Sequence, residues 1–167
     1  TNMSSMFSNS VATKLDLSSF DTSNVTSMWG MFLRSKATTL DLSSFNTSNV
    51  TDMSSMFNGS DATEIKGLNK FNTSKVTDMR WMFNVSKATT LDLSSFDTSK
   101  VTTMYCMFYG CKKLTSIYIS DKWKTNNVTE DVAMFDRCCS LPNFNKEKTD
   151  AEMAKSIEQG GYLTLKK

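Results

Sequence analysis

Leu40-Asp41-Leu42-Ser43-Ser44-Phe45-Asn46-Thr47-Ser48-Asn49-Val50-Thr51-Asp52-Met53-Ser54-Ser55-Met56-Phe57 is one full statement of a phrase that recurs along the 167-residue chain. Further copies begin at Leu15 and Leu91, and an altered one begins at Ile65. Met-Phe pairs mark successive copies at Met6-Phe7, Met31-Phe32, Met56-Phe57, Met82-Phe83, Met107-Phe108 and Met134-Phe135, in steps of 25, 25, 26, 25 and 27 residues. A period in this range predicts a solenoid, in which each unit buries its apolar face against the next turn. Such a stack presents an extended surface more readily than an enclosed pocket.

Within the turn from Ala37 to Ser60, Leu40 and Leu42 alternate with Asp41, the pattern of a short half-buried strand. Phe45 turns inward at a bend, and Asn46-Thr47-Ser48-Asn49 supplies turn and capping side chains. Val50, Met53, Met56 and Phe57 then follow at helical spacing, which predicts a short helix on the outer side of each turn. Equivalent positions form columns: Val25, Val50, Val76, Val101 and Val128; Phe20, Phe45, Phe71, Phe96 and Trp123; and two columns of methionine, read as core filler. The altered copy Ile65-Lys66-Gly67-Leu68-Asn69-Lys70-Phe71 carries one residue too many and predicts a local bulge.

Composition excludes several functions. The chain has 19 basic and 17 acidic residues, a net charge of +2 without a basic run, so no nucleic-acid or anionic-lipid partner is expected. No apolar stretch approaches the roughly 20 residues that cross a bilayer, so this segment is not expected to insert in a membrane. Histidine is absent, which removes the commonest general base and metal ligand. Without a phosphate-binding loop or a catalytic constellation, the chain reads as non-enzymatic, with no cofactor and no metal.

The two ends depart from the repeat. Thr1 to Phe7 aligns with Thr26 to Phe32, so the chain begins partway round a turn and reads as a piece of a longer array, either monomeric or stacking open-endedly through that N-terminal turn. Pro142 ends the last turn. Thr149-Asp150-Ala151-Glu152 has capping-box form and predicts a helix to about Gln159, stopped at Gly160-Gly161 before a last strand at Tyr162–Leu165. The expected organisation is a repeat unit over 1–141 and a C-terminal cap over 142–167.

The run Leu-Asp-Leu-Ser-Ser-Phe-Asp-Thr-Ser-Asn-Val-Thr-x-Met-x-x-Met-Phe resembles the BspA-like leucine-rich-repeat surface proteins, over essentially the whole chain. The expected fold is therefore an α/β solenoid, a right-handed leucine-rich-repeat-like stack of about five turns with one strand and one short helix each. An all-β parallel β-helix is the alternative. The resemblance implies a bacterial cell-surface, extracellular location and adhesion to a host or neighbouring-cell protein or glycan; the alternative function is a structural stalk. The family's Gly-Cys-x-x-Leu step is intact only at Gly110-Cys111-Lys112-Lys113-Leu114; serine and alanine replace its Cys and Leu in earlier turns.

Candidate binding residues fall in two places. The slots around the methionine pairs hold Trp29, Arg80-Trp81, Tyr105 and Tyr109, residue types enriched in binding hot spots. The strand-lined face carries Asp41, Asp92 and Tyr118. Its aspartates invite a calcium reading, but Lys66 and Tyr118 interrupt the column and solvated surface is expected. Cys111 and Cys138, each four residues after a methionine, are either a disulfide or a buried thiol column. The stacking register itself is testable: Met56→Ala or Phe57→Ala should cost about 2–5 kcal/mol, and an unchanged melting temperature would refute it.

Overall fold

The computed structural model describes residues 1–166. Among the described residues there are five strands, each of two to four residues: β1 (Thr39–Asp41), β2 (Glu64–Lys66), β3 (Thr90–Asp92), β4 (Ser116–Ile119) and β5 (Thr164–Leu165). Pairing is parallel throughout. β1 lies beside β2 with Leu40 opposite Ile65, β3 lies beside β4 with Leu91 opposite Ile117, and β5 extends that sheet along β4. A second line of parallel bridges runs through Asn2, Ser27, Asp52, Asp78, Thr103 and Glu130. Neighbouring repeats are thus bonded along the Asn2–Glu130 line throughout, and a second time wherever their strands pair.

The core follows from that register. Phe7, Phe32, Phe57, Phe83, Phe108 and Phe135 stack one on another, with ring centroids 5.2–5.7 Å apart and planes within 12° of parallel. Tyr162 ends the column edge-on against Phe135 at 5.4 Å. The flanking methionines from Met28 to Met134 and the valines from Val25 to Val101 are fully buried. At about 1.5–3 kcal/mol for each large apolar side chain withdrawn from water, these columns supply most of the driving force for stacking.

The bends are held by side chains acting on the main chain. Asp16, Asp41 and Asp92 accept hydrogen bonds from the backbone N–H of Ser18, Ser43 and Ser94. Asp21, Asn46, Asn72 and Asp97 do the same for Ser23, Ser48, Ser74 and Ser99. These Asx turns account for Asp-x-Ser and Asx-Thr-Ser in each repeat. The threonine between them has a second task. Thr22, Thr47, Thr73 and Thr98 are 1–2% exposed. Each Oγ1 donates to a carbonyl of the next turn (Asn46, Asn72, Asp97, Lys124) and accepts the N–H of that same residue, at 2.6–3.1 Å. A polar spine thereby runs through the stack with its hydrogen bonds satisfied.

The outer arm departs from the expected helix. Among the described residues there is no α-helix; the arm is a succession of tight turns. In the second repeat, Met28, Gly30, Phe32 and Arg34 donate to Asp52, Ser54, Met56 and Asn58 of the next turn, at 2.8–3.0 Å. Met31, Leu33 and Ser35 instead donate three residues back, to Met28, Gly30 and Phe32. Alternate N–H groups are therefore committed across the stack and cannot enter an α-helical ladder. Two positions per repeat adopt positive φ: Ser5, Gly30, Ser55, Trp81, Cys106 and Ala133 in one column, Asn9, Arg34, Gly59, Val85, Gly110 and Arg137 in the other. Left-handed residues at this spacing exclude a right-handed helix.

The extra residue of the altered copy is taken up at Gly67, with φ 85°, followed by a single 3₁₀ turn at Leu68–Lys70. A Cβ on Gly67 would lie 2.6 Å from Ser43 N, against the main chain of the preceding turn, so only glycine fits. Strand pairing lapses between β2 and β3 at this place. The helix expected from Thr149 to Gln159 is two separate 3₁₀ turns, Ala151–Met153 and Ile157–Gln159, and the capping box does not form. Asp150 Oδ1 accepts instead from Ala133 N at 2.8 Å, drawing the closing segment onto the last repeat. Tyr162 ties the closing segment to itself by donating to Lys148 O at 2.8 Å.

The threonine spine yields a specific expectation. Thr47→Val keeps the shape but strips Asn72 of both partners, and should lower stability by about 1–3 kcal/mol. Thr47→Ser, which retains the hydroxyl, should recover most of it. Urea midpoints for the two variants that coincide with wild type would show that the spine contributes nothing.

Candidate functional site

The outer arm holds the exposed aromatic residues. Trp29, Trp81 and Tyr105 are 44%, 39% and 37% exposed, whereas the stacked phenylalanines from Phe32 to Phe135 are fully buried. Trp81 and Tyr105 meet edge-to-face with centroids 5.7 Å apart. Arg80 Nε lies 2.7 Å from Asp78 Oδ2, and a guanidinium nitrogen reaches Glu130 at 3.9 Å. Tyr109, half-buried, carries the Arg137 guanidinium 5.3 Å from its ring centre. Trp81 and Tyr105 thus meet across two successive turns with Arg80 beside Trp81 in sequence, while Tyr109 pairs with Arg137 of the following turn.

Trp29 stands apart from that group. The intervening turn presents Ser54 and Ser55, which are 5% and 4% exposed. Trp29 and Trp81 also occupy different slots: Trp29 precedes the positive-φ position filled by Gly30, whereas Trp81 itself has φ 56°. The two slots between each methionine pair are therefore two distinct conformations, and the two indoles do not form one column.

The strand face is a second region. Asp41 lies opposite Lys66 across β1 and β2, and Asp92 lies opposite Tyr118 across β3 and β4. Lys166 Nζ closes on Asp92 at 2.6 Å. Partial burial works to raise the Asp92 pKa, but the hydrogen bonds from Lys166 and Ser94 outweigh it, and the carboxyl titrates below its usual range. Hydrogen bonds from Ser43 hold Asp41 low as well. Where pairing lapses between β2 and β3, a groove of about 530 Å³ opens beside Glu64, Lys66 and Asp92. The acidic column is thus divided among local serine and lysine partners, and among the described residues no three carboxylates or thiols converge on a metal position.

All four cysteines are thiols. The candidate disulfide between Cys111 and Cys138 is not formed; their thiols donate to Phe83 O and Phe108 O of the preceding turns, each at 2.9 Å. The sulfhydryl replaces the serine hydroxyl of earlier turns but takes a different partner, since Ser35, Ser60 and Ser86 accept from the N–H two residues on. The adjacent Cys111 thiol and burial push the Cys138 thiol above its ordinary range. Burial raises Cys106 too.

One charged feature escaped the sequence reading. Lys36, Asp61 and Lys87 occupy equivalent places in three successive turns, and Asp61 bridges both lysines at 3.3 and 2.9 Å. The hydrogen bond from Lys87, with that from Lys36, keeps its carboxyl below the usual range against a small desolvation cost. The repeat spacing alone would have identified the trio.

The family to which this chain belongs is that described as "Mycoplasma protein of unknown function, DUF285", matched over residues 1–64 and 59–160. No curated protein and no solved structure matches the chain.

The positive-φ columns of this arm are testable at Val85. It is half exposed, β-branched and held at φ 53°, a conformation that favours glycine and asparagine. Val85→Asn should raise stability by about 0.5–1.5 kcal/mol, read as a higher urea midpoint with unchanged slope. A lower midpoint would mean that the Val85 contact with Gly110 outweighs the backbone strain.

Proposed function

We propose that the chain is a leucine-rich-repeat-like solenoid serving as a non-enzymatic recognition module on a bacterial cell surface. Its partner is a host or neighbouring-cell protein or glycan, held by the outer arm. The observation that carries this reading is the exposure of Trp29, Trp81 and Tyr105 on one arm of a stack whose other aromatic side chains are buried or half-buried. Exposed aromatics on a rigid scaffold lose little conformational entropy on binding, and a neighbouring arginine adds directional donors. Arg80 fills that position, with Asp78 and Glu130 orienting it.

A structural stalk is the second reading. It is favoured by the buried Ser54 and Ser55, which interrupt the aromatic surface, and by a bonding pattern that repeats with little variation along the stack.

The test is a binding screen against extracellular-matrix proteins, mucins and a glycan array, with wild type and the variant Trp29→Ser/Trp81→Ser/Tyr105→Ser in parallel. Circular dichroism should show the variant folded, since the three side chains lie outside the core. A ligand held by wild type and lost, about a hundredfold or more, in the variant supports the recognition reading. Equal binding by both would move the site to the strand face around Asp41, Asp92 and Tyr118. Silence from both would favour the stalk.

A further inference from the structure

The inner aromatic column changes chemistry at its last member. Phe20, Phe45, Phe71 and Phe96 occupy the bend in four repeats, and Trp123 occupies it in the final one. Phe71 and Phe96 stack with centroids 6.3 Å apart and planes 5° from parallel. A phenylalanine would therefore suffice to fill this position. Trp123 is 93% buried, its exposure being 7%, and its indole Nε1–H has no hydrogen-bond partner among the described residues. A buried indole N–H usually finds an acceptor, and leaving one without is unfavourable. The substitution of Trp for Phe thus introduces a donor that the protein does not use.

Trp123 also lines a cleft of about 410 Å³ between this bend and the closing segment. That volume falls in the range of small-molecule sites, roughly 300–1,000 Å³. Ile119 and the indole give it an apolar wall, and Ser120, Thr125, Ser156 and Gln159 give it neutral polar groups. Its charges are balanced, Asp121 and Glu158 against Lys124 and Lys155, so the cleft selects for neither anion nor cation. An aromatic wall, hydroxyl and amide partners and no net charge suit a neutral ligand rich in hydroxyl groups, and the ring that forms the wall carries the unpartnered donor.

We propose that this cleft is a binding site for a neutral sugar of one or two rings, one of whose oxygens accepts the Trp123 indole N–H. The N–H is shielded from solvent, so entry of the sugar requires a lining side chain to shift. Gln159 and Leu165 line the cleft with exposed side chains and have room to move. The site is independent of the outer arm and stands or falls apart from the recognition surface there.

The three tryptophans of the chain give three indole resonances in a proton–nitrogen correlation spectrum, and Trp123→Phe assigns the one of interest. That variant restores the residue of the four preceding turns and should fold. Glucose, galactose, N-acetylglucosamine and lactose are titrated separately, with a capped neutral dipeptide as a fifth probe. The expected result is a saturable shift of the Trp123 indole proton with at least one sugar while the Trp29 and Trp81 resonances stay in place. Ligand-observed saturation transfer should show Trp123→Phe and Gln159→Ala each weakening that sugar about tenfold, the equivalent of one neutral hydrogen bond. A Trp123 resonance unmoved by every sugar, a response to the dipeptide alone, or undiminished binding by Trp123→Phe would overturn the proposal. Shifts confined to Trp29 and Trp81 would overturn it too, while supporting the outer-arm reading.

Discussion

The hydrogen bond from one turn's main chain to the next is the constraint on which the rest of this structure depends. On the outer arm every second N–H crosses to the following repeat, as Met28, Gly30, Phe32 and Arg34 do to Asp52, Ser54, Met56 and Asn58. The bonds form only when equivalent residues lie in register. The repeat length is therefore fixed by geometry, and an extra residue must be ejected from the ladder at once. Gly67 performs that ejection, at the cost of the strand pairing between β2 and β3.

Register also decides what the interior can contain. Once repeats are superposed, a side chain at a given place meets its own equivalent in the next turn, so columns form by default. Phenylalanine rings stack nearly parallel and methionines fill the space between them. Threonine would ordinarily be a poor interior residue. Here each Oγ1 faces a main-chain N–H and C=O presented at the same height by the next turn, which satisfies both. Positions outside these columns carry no such obligation. The slots between the methionines range from the buried Ser54-Ser55 to the exposed Trp81, and their variety is where any choice of partner can be written.

The candidate site was partly legible in the sequence. Trp29, Trp81 and Tyr105 occupy positions outside the apolar columns, which reads as outward, although Ser54, Ser55 and Cys106 at the same positions are buried. The contact of Trp81 with Tyr105 was not legible, because side-chain direction depends on which slot has positive φ. Asp61 between Lys36 and Lys87 was visible in the repeat alignment, though not in the local motif. The unpartnered indole of Trp123 was hidden altogether, since whether a donor finds an acceptor depends on segments distant in the chain.

The sequence by itself determined the period, the residues that face inward and the place where the repeat is broken. Apolar spacing and chain length are local quantities, and stacking converts them directly into columns and into a bulge at Gly67. Only the tertiary structure decided the conformation of the outer arm. Val50, Met53, Met56 and Phe57 have the spacing of a helical turn, but the same spacing turns them inward along a chain of tight turns. The two differ in where each N–H finds its carbonyl, and a neighbouring repeat at bonding distance captures alternate donors before a helix can use them. The same reason governs the threonines, whose hydroxyls read locally as caps and in the stack bind the next turn.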